Sequence, residues 1–162
     1  VVLWHAFPQE AAEPRRLLDL SWLSEAVALS SHCEAADRAY SVGAILVDAL
    51  GREIAAGYSR EGDPAEHAEE AALRKAGSPR DLTGSTLYTS MEPCSRRLSG
   101  RASCVEHILR AGIARVVFAL REPTRFVRCE GVEQLRRGGV VVEERPELAD
   151  AAGSANRHLL MS

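Results

Sequence analysis

Apolar residues along this chain gather in five short runs, each bounded by turn residues or charged positions. Runs of about four to eight apolar and β-branched residues with such boundaries are typical of strands buried in a sheet. The turn at 48–51 joins the first two runs, so these two strands are expected to form a hairpin. The predicted strands cover residues 41–47, 53–58, 85–91, 114–120 and 140–143.

Helical spacing and capping signals separate these strands. Asp63, Pro64 and Glu66 form a capping pattern that predicts a helix start, although the helix could equally begin a turn later, at His67. Ser103 and Glu106 repeat the capping pattern. Glycines after the periodic segments predict the helix ends. The predicted helices cover residues 19–32, from 63 or 67 to 77, 103–112, 130–137 and, more weakly, 147–160.

The order of these elements is α-β-β-α-β-α-β-α-β-α. Strands that alternate with helices indicate a sheet covered on both faces. We therefore expect the α/β class, as a three-layer α/β/α sandwich around a five-stranded mixed sheet. Residues 1–18, with Pro8 and Pro14, are predicted to be an irregular N-terminal arm, and residues 19–162 a single domain.

Composition narrows the class of function. The chain has 162 residues, of which 46% are hydrophobic and 27% charged, and its net charge is −3. A protein that grips a nucleic-acid backbone carries a basic surplus, so we expect a small-molecule partner and no nucleic acid. We expect no membrane association, since no apolar run would span a bilayer. With no recognisable secretion signal, the four cysteines indicate reduced thiols and a cytoplasmic protein.

The candidate chemistry lies in His67-Ala68-Glu69, in Glu92-Pro93-Cys94 and in Cys104, which follows Cys94 after nine residues. One imidazole and two thiolates can fill three corners of a Zn²⁺ tetrahedron and leave the fourth for water. Glu69 is too close to His67 in sequence to serve as the fourth ligand, but it is well placed to move protons. The pattern predicts His67, Cys94 and Cys104 as zinc ligands, Glu69 as the catalytic acid/base, and a hydrolytic deaminase.

Three questions stay open at this point. A structural zinc would need a fourth protein ligand, for which His32, His107 and Cys129 are available without suggestive spacing. The loop between the cysteines carries three arginines, 96, 97 and 101, which predict either an anion site or a solvent-exposed loop. Glu92 could bind substrate or a helix end.

These motifs resemble the cytidine-deaminase superfamily, most closely the deaminase domain of the bifunctional riboflavin-biosynthesis deaminase/reductase family. The matching stretches are 42–47, 67–73, 86–95 and 111–117, within a resemblance that covers residues 19–160. The resemblance implies a cytidine-deaminase-like fold, a homodimer or homotetramer, and a heterocyclic amine substrate. It implies hydrolytic loss of ammonia from a diaminopyrimidinone ribosylamine phosphate. The positions where we expect substrate contacts are Ala39, Ser41, Gly43, Ala68, Glu92, Ser95, Arg96 and Arg101.

The chain departs from that family at positions where the resemblance implies contact with the substrate. Residues 38–41 replace a Pro-Asn-Pro segment, Arg96 replaces a histidine, and residues 101–103 replace Thr-Pro-Pro in a loop that is one residue longer. These changes keep two alternatives open. One is a cytidine, cytosine or guanine-type base or nucleoside deaminase of specialised metabolism. The other is a non-catalytic, deaminase-like partner subunit, although Glu69 is retained.

Overall fold

The computed structural model describes residues 8–77 and 81–161, with side chains from residue 12 onward. All five predicted strands are confirmed, with ends that shift by at most two residues. They are β1 (Gly43–Val47), β2 (Glu53–Tyr58), β3 (Thr86–Met91), β4 (Arg115–Leu120) and β5 (Val141–Glu144). The helices are α1 (Pro8–Ser30), α2 (Ala68–Ala76), α3 (Cys104–Ala111), α4 (Gly131–Arg137), α5 (Ala149–Ser154) and α6 (Arg157–Leu160), with a 3₁₀ turn over Pro146–Leu148.

The strands form one mixed sheet in the order β2-β1-β3-β4-β5. β1 runs antiparallel to both β2 and β3, whereas β3, β4 and β5 are parallel. The carboxyl ends of β3 and β4 therefore lie side by side at one edge of the sheet, where ligand sites of α/β folds commonly form.

Two apolar layers cover the sheet, because successive strand residues point to opposite faces. Leu87 and Phe118 pack against α2, α3 and α4 on one face. Tyr88 and Val117 pack against α1 and α5 on the other. This arrangement confirms the predicted three-layer sandwich with a five-stranded mixed sheet.

The predicted irregular arm is wrong for residues 8–18, which belong to α1. Pro8 is the first helical residue, where a missing N–H costs no hydrogen bond. Pro14 lies inside the helix and removes one hydrogen bond. The turns around it are mostly exposed, and α1 packs on the sheet further along, through Leu23 and Ala26. Residues 1–7 lie outside the described residues.

The predicted terminal helix is also wrong as a single element, since the 3₁₀ turn, α5 and α6 replace it. The interruption falls at Asn156, whose side chain is fully buried. Its Oδ1 accepts from the Ser41 N–H at 2.6 Å and its Nδ2 donates to the Ser41 carbonyl at 2.9 Å. This tertiary contact outweighs the weak helical preference of the segment. Within the described ranges, no helix has both the length and the apolar character needed to cross a bilayer.

Candidate active site

His67 is the N-cap of α2. Of the two helix starts that the sequence allowed, residue 63 or His67, the later one is therefore correct. The Glu70 carboxylate accepts from the His67 backbone N–H at 2.8 Å. This contact closes a capping box, so the first turn of the helix fixes the backbone from which the imidazole projects.

The two cysteines come from different elements that meet at the carboxyl edge of the sheet. Cys94 lies just beyond β3, and Cys104 is the first residue of α3, after the Ser103 N-cap. The backbone N–H of Cys104 donates to Cys94 Sγ at 3.3 Å. A helix N-terminus that points an N–H at a sulfur favours the thiolate, which is the form that binds metal.

The three predicted ligands are brought together. His67 Nδ1 lies 3.5 Å from Cys94 Sγ and 3.3 Å from Cys104 Sγ, and the three ligand atoms all lie within 4.8 Å of one another. Tetrahedral zinc with bonds of about 2.3 Å to sulfur and about 2.0–2.1 Å to nitrogen separates such atoms by about 3.5 Å. The donor set and its spacing therefore fit Zn²⁺.

The cluster has three protein donors in the part of the chain that the structure describes. His107, a possible fourth ligand by sequence, instead lies with Nε2 3.2 Å from Glu70 Oε1. The Cys129 thiol points at the Pro93 carbonyl at 3.5 Å. Three protein ligands with an open fourth position are typical of catalytic rather than structural zinc sites.

The electrostatics of the cluster favour metal binding. Hydrogen bonding with Cys104 lowers the pKa of Cys94 to about 4, with burial opposing and His67 assisting this shift. The same contact raises the pKa of Cys104. Burial acts to lower the pKa of His67, but the hydrogen bond to Cys94 together with the negative charges of Cys94 and Glu69 outweighs burial and raises it. A lowered Cys94 pKa favours the thiolate form that metal binding needs, and metal binding releases the protons that the ligands carry.

Glu69 lies behind the cluster and is almost completely buried, at 3% exposure. Its Oε2 accepts from Cys104 Sγ at 3.3 Å, and its Oε1 accepts from Thr89 Oγ1 at 3.0 Å. Burial raises the pKa of this carboxyl group above its ordinary value. Because burial disfavours the charged form, this carboxyl group takes up a proton more readily than an exposed one, as an acid/base catalyst must.

A cavity of about 220 Å³ opens beside the cluster. It is smaller than the roughly 300–1,000 Å³ pockets that hold drug-sized ligands, so its size fits a single heterocycle. Of the predicted substrate-contact residues, Ala39, Glu92 and Arg96 line it, together with His67, Glu69 and Cys94.

Two other predicted contact residues lie within the protein, outside the cavity lining. Ser41 is held through its backbone by Asn156, and its Oγ accepts from Arg60 Nη2 at 2.9 Å. The Gly43 N–H donates to Ser90 Oγ at 3.1 Å inside the sheet. Their polar groups are used for folding, so neither is retained as a proposed substrate contact.

Three further predicted contacts also lie outside the cavity lining. Ala68 is fully buried in the core beneath α2. Ser95 Oγ accepts from the Glu130 N–H at 2.9 Å, at the start of α4. Arg101 lies at the surface, 3.4 Å from Asp63 Oδ1. Spacing alone could not separate these roles from substrate binding.

Glu92 serves a helix end, which is one of the two roles that the sequence allowed. Its Oε1 accepts from the Val132 N–H at 3.1 Å in the first turn of α4, and its Oε2 accepts from the Glu122 N–H at 3.2 Å. The carboxylate thus ties the turn that carries Cys94 to two neighbouring segments.

Arg97 is a structural residue rather than a free anion-binding group. Its side chain is 5% exposed, and Nη1 donates to Glu70 Oε2 at 2.8 Å. It also donates to the carbonyls of Ala102 and Ala65. This contact, which we call the Arg97–Glu70 clasp, holds the loop between the two cysteines against the start of α2.

Glu122 is a cavity residue that the sequence did not single out. It follows β4, and burial raises its pKa to about 7. In the described part of the chain, its buried Oε2 has no hydrogen-bond partner. The signal that could have found it is its position at the end of β4, the strand parallel to β3, because the carboxyl ends of such strands meet.

The mouth of the cavity carries two exposed arginines, Arg38 and Arg96. Arg38 replaces part of the family's Pro-Asn-Pro segment and was not among the predicted contacts. Neither guanidinium has a hydrogen-bond or ion-pair partner within the ranges that the structure describes. Two unpaired cations at a cavity mouth are suited to an anionic ligand.

Comparison with known proteins agrees with this site. The curated diaminohydroxyphosphoribosylamino-pyrimidine deaminase of Schizosaccharomyces pombe is 40% identical over 132 residues, which are 80% of this chain and 32% of that protein. The riboflavin biosynthesis protein RibD of Aquifex aeolicus is 40% identical over 105 residues, 64% of this chain and 28% of that protein. The chain therefore spans about a third of the length of these curated relatives.

A solved structure shows the same fold. The diaminohydroxyphosphoribosylaminopyrimidine deaminase/5-amino-6-(5-phosphoribosylamino)uracil reductase of Thermotoga maritima superposes with a TM-score of 0.76 at 28% identity, covering 87% of this chain and 40% of that one. The family model of the cytidine and deoxycytidylate deaminase zinc-binding region matches residues 18–120, more than half of the chain. These findings confirm the resemblance drawn from the sequence motifs. The chain belongs to the cytidine and deoxycytidylate deaminase family.

Proposed function

We propose that this chain is a zinc-dependent hydrolytic deaminase of an amino-substituted pyrimidine that carries a phosphate, as in riboflavin biosynthesis. The observation that carries the proposal is the cluster of His67, Cys94 and Cys104, with the Glu69 carboxylate against it at the end of an open cavity. The names of the Schizosaccharomyces pombe and Thermotoga maritima relatives support the choice of substrate.

His67 Nδ1, Cys94 Sγ and Cys104 Sγ would hold the metal. When bound there, zinc acts as a Lewis acid that brings the pKa of a water ligand down to about 7. Glu69 Oε2 faces the cluster and would carry the two protons of the attacking water in turn. The first would go to the ring nitrogen and the second to the departing amino group, so that the amine and water become a carbonyl and ammonia.

The cavity offers separate groups for the ring and for the phosphate of this substrate. Glu122 places a carboxyl oxygen without a described partner where ring N–H or amino groups would lie. Arg38 and Arg96 at the mouth suit a phosphate monoester, because guanidinium groups bind phosphate through paired hydrogen bonds.

An ammonia-release assay tests the proposal. The panel contains the diaminopyrimidinone ribosylamine phosphate, deoxycytidylate, cytidine, cytosine and guanine, with the zinc-loaded protein. We expect turnover of the first substrate. Glu69→Gln should retain zinc and lose about 10²–10⁴-fold in kcat, whereas the matched control Glu53→Gln, on an exposed residue, should keep wild-type activity.

The phosphate part has its own test. Arg38→Gln and Arg96→Gln should each raise KM about tenfold or more with little effect on kcat, since each removes one charge-assisted contact. Arg137→Gln, on an exposed residue of α4, is the matched control. An unchanged KM in both cavity variants would contradict a phosphate at the mouth.

A second candidate is a cytidine- or deoxycytidylate-type deaminase, which the description of the matching family model favours. Turnover of deoxycytidylate that Arg96→Gln weakens would support it. Turnover of cytidine, cytosine or guanine that Arg96→Gln leaves unchanged would indicate a base or nucleoside deaminase. Stoichiometric zinc without ammonia from the whole panel would favour the non-catalytic partner subunit.

The oligomeric state and the location of the protein stay predictions. We expect a homodimer or homotetramer, which light scattering of the purified protein tests, and a cytoplasmic location.

A further inference from the structure

Thr89 is a polar residue at a position where packing alone calls for an apolar one. It lies on β3 and is fully buried. Alternation along the strand puts it on the same face as Leu87, which belongs to the apolar layer beneath α2 and α3. Valine has nearly the same shape, and a buried hydroxyl costs free energy unless it is hydrogen-bonded.

The hydroxyl of Thr89 has a charged partner in Glu69. Oγ1 lies 3.0 Å from Glu69 Oε1 and 3.2 Å from the Met91 carbonyl oxygen. A hydroxyl has a single hydrogen, and a carboxylate is the stronger acceptor as well as the nearer one. The hydrogen therefore goes to Glu69.

The two oxygens of Glu69 face different surroundings. Oε2 lies 3.3 Å from Cys104 Sγ, on the side of the metal-binding cluster. Oε1 is turned the other way, towards β3. The side chain carries a terminal torsion with a broad energy minimum, so a contact to one oxygen sets the direction of the other.

We propose that Thr89 is a positioning residue: its hydroxyl holds Glu69 Oε1 so that Oε2 faces the His67–Cys94–Cys104 cluster. This inference rests on the proposed function, since it gives Thr89 a role through Glu69. Thr89 is not part of the cavity lining, so it acts on turnover and not on substrate binding.

Thr89→Val removes the donor at nearly constant volume and tests the proposal. We expect stoichiometric zinc, a melting temperature close to that of the wild type, a KM within about twofold and a kcat lower by about 10- to 100-fold, as for a small misplacement of a catalytic group. Thr89→Ser keeps the hydroxyl and should recover most of the lost kcat. Thr86→Val makes the same chemical change on the same strand and should leave kcat unchanged.

An unchanged kcat in Thr89→Val, or a Thr89→Ser variant as slow as Thr89→Val, would overturn the inference. Should Thr89→Val fail to fold, Thr89→Ala replaces it, because the pair Ala and Ser also differs in the hydroxyl. A loss of activity through lost zinc or raised KM would likewise contradict a positioning role.

A readout that needs no substrate separates this inference from the proposed function. If the wild-type protein releases no ammonia from the panel, the proposed function fails. Crystal structures of the zinc-loaded wild type and Thr89→Val still decide the role of Thr89. The inference expects the Glu69 carboxylate of the variant to turn away from the cluster, and an unchanged carboxylate would refute it.

Discussion

The buried charge network beneath α1 tests what holds this helix on the sheet. Asp19 has a side chain that is 1% exposed. Its two oxygens accept from Arg115 at 2.8 and 2.6 Å, from Arg145 at 2.7 Å and from the Tyr88 hydroxyl at 3.0 Å. The perturbation is Asp19→Asn, which keeps the shape and removes the charge.

The expected loss is large because both cations are also shielded from water. The side chains of Arg115 and Arg145 are 12% and 16% exposed, and Glu143 is the carboxylate left to them in this network. Removing one partner from a buried charge pair costs about 3–5 kcal/mol. For a chain of this length each kcal/mol lowers Tm by roughly 2–4 °C, so we expect a decrease of roughly 6–20 °C.

Acidic pH should reduce the difference in stability between the wild type and Asp19→Asn. Burial acts to raise the pKa of Asp19, but hydrogen bonds and charge from Arg115, with help from Arg145, outweigh it and hold the pKa below the ordinary value of 3.8. A carboxyl group whose folded pKa is lowered contributes stability that is complete above the unfolded pKa. That contribution disappears as pH falls through the folded pKa. The wild type and Asp19→Asn should therefore converge below about pH 4.

Urea denaturation of the zinc-loaded protein, followed by circular dichroism at pH 7 and at lower pH, measures both effects. Glu143→Gln is the matched control, because it removes a carboxylate that is 33% exposed from the same cations and should cost less. A loss of under about 1 kcal/mol in Asp19→Asn, or a loss that persists unchanged in acid, would refute this account of the network.

Three other changes test the site and its supports. Cys104→Ser should weaken zinc binding more than about 100-fold, since it removes a thiolate donor; full zinc content by elemental analysis would contradict the ligand set. Arg97→Met should speed zinc release to a chelator by about 10- to 100-fold by opening the Arg97–Glu70 clasp, and an unchanged rate would show that the loop holds its shape without it. Gly131→Ala should cost about 1–3 kcal/mol in urea denaturation, because a Cβ there would lie 2.0 Å from the Pro93 carbonyl oxygen. Wild-type stability of Gly131→Ala would mean that α4 can shift to make room for the methyl group without a cost in free energy.

Local signals in the sequence were sufficient for the elements that position the metal-binding cluster. The apolar runs predict β3 and β4 because strands buried on both faces need such runs. Ser103 with Glu106 predicts the start of α3, since capping is a contact between residues three apart. Donor chemistry identifies His67, Cys94 and Cys104, because it depends on residue type and spacing rather than on packing.

Longer-range contacts decided the points on which the predictions were wrong. α1 begins before residue 19, and Arg16 in these added turns donates to Glu147 Oε1 at 3.0 Å. The C-terminal segment breaks at Asn156 because that side chain binds Ser41. Neither contact can be read from neighbouring residues, since each joins positions far apart in the chain.

The sequence by itself determined the fold class, the strands, the helix caps and the set of side chains able to hold a cation beside an acid. Only the tertiary structure decided which groups face the cavity. Arg96 and Arg97 are adjacent in sequence, yet one is exposed at the mouth and the other is buried in the Arg97–Glu70 clasp. The burial and the hydrogen bonds of a side chain depend on which distant parts of the chain pack around it. Residue type and local spacing do not specify those surroundings.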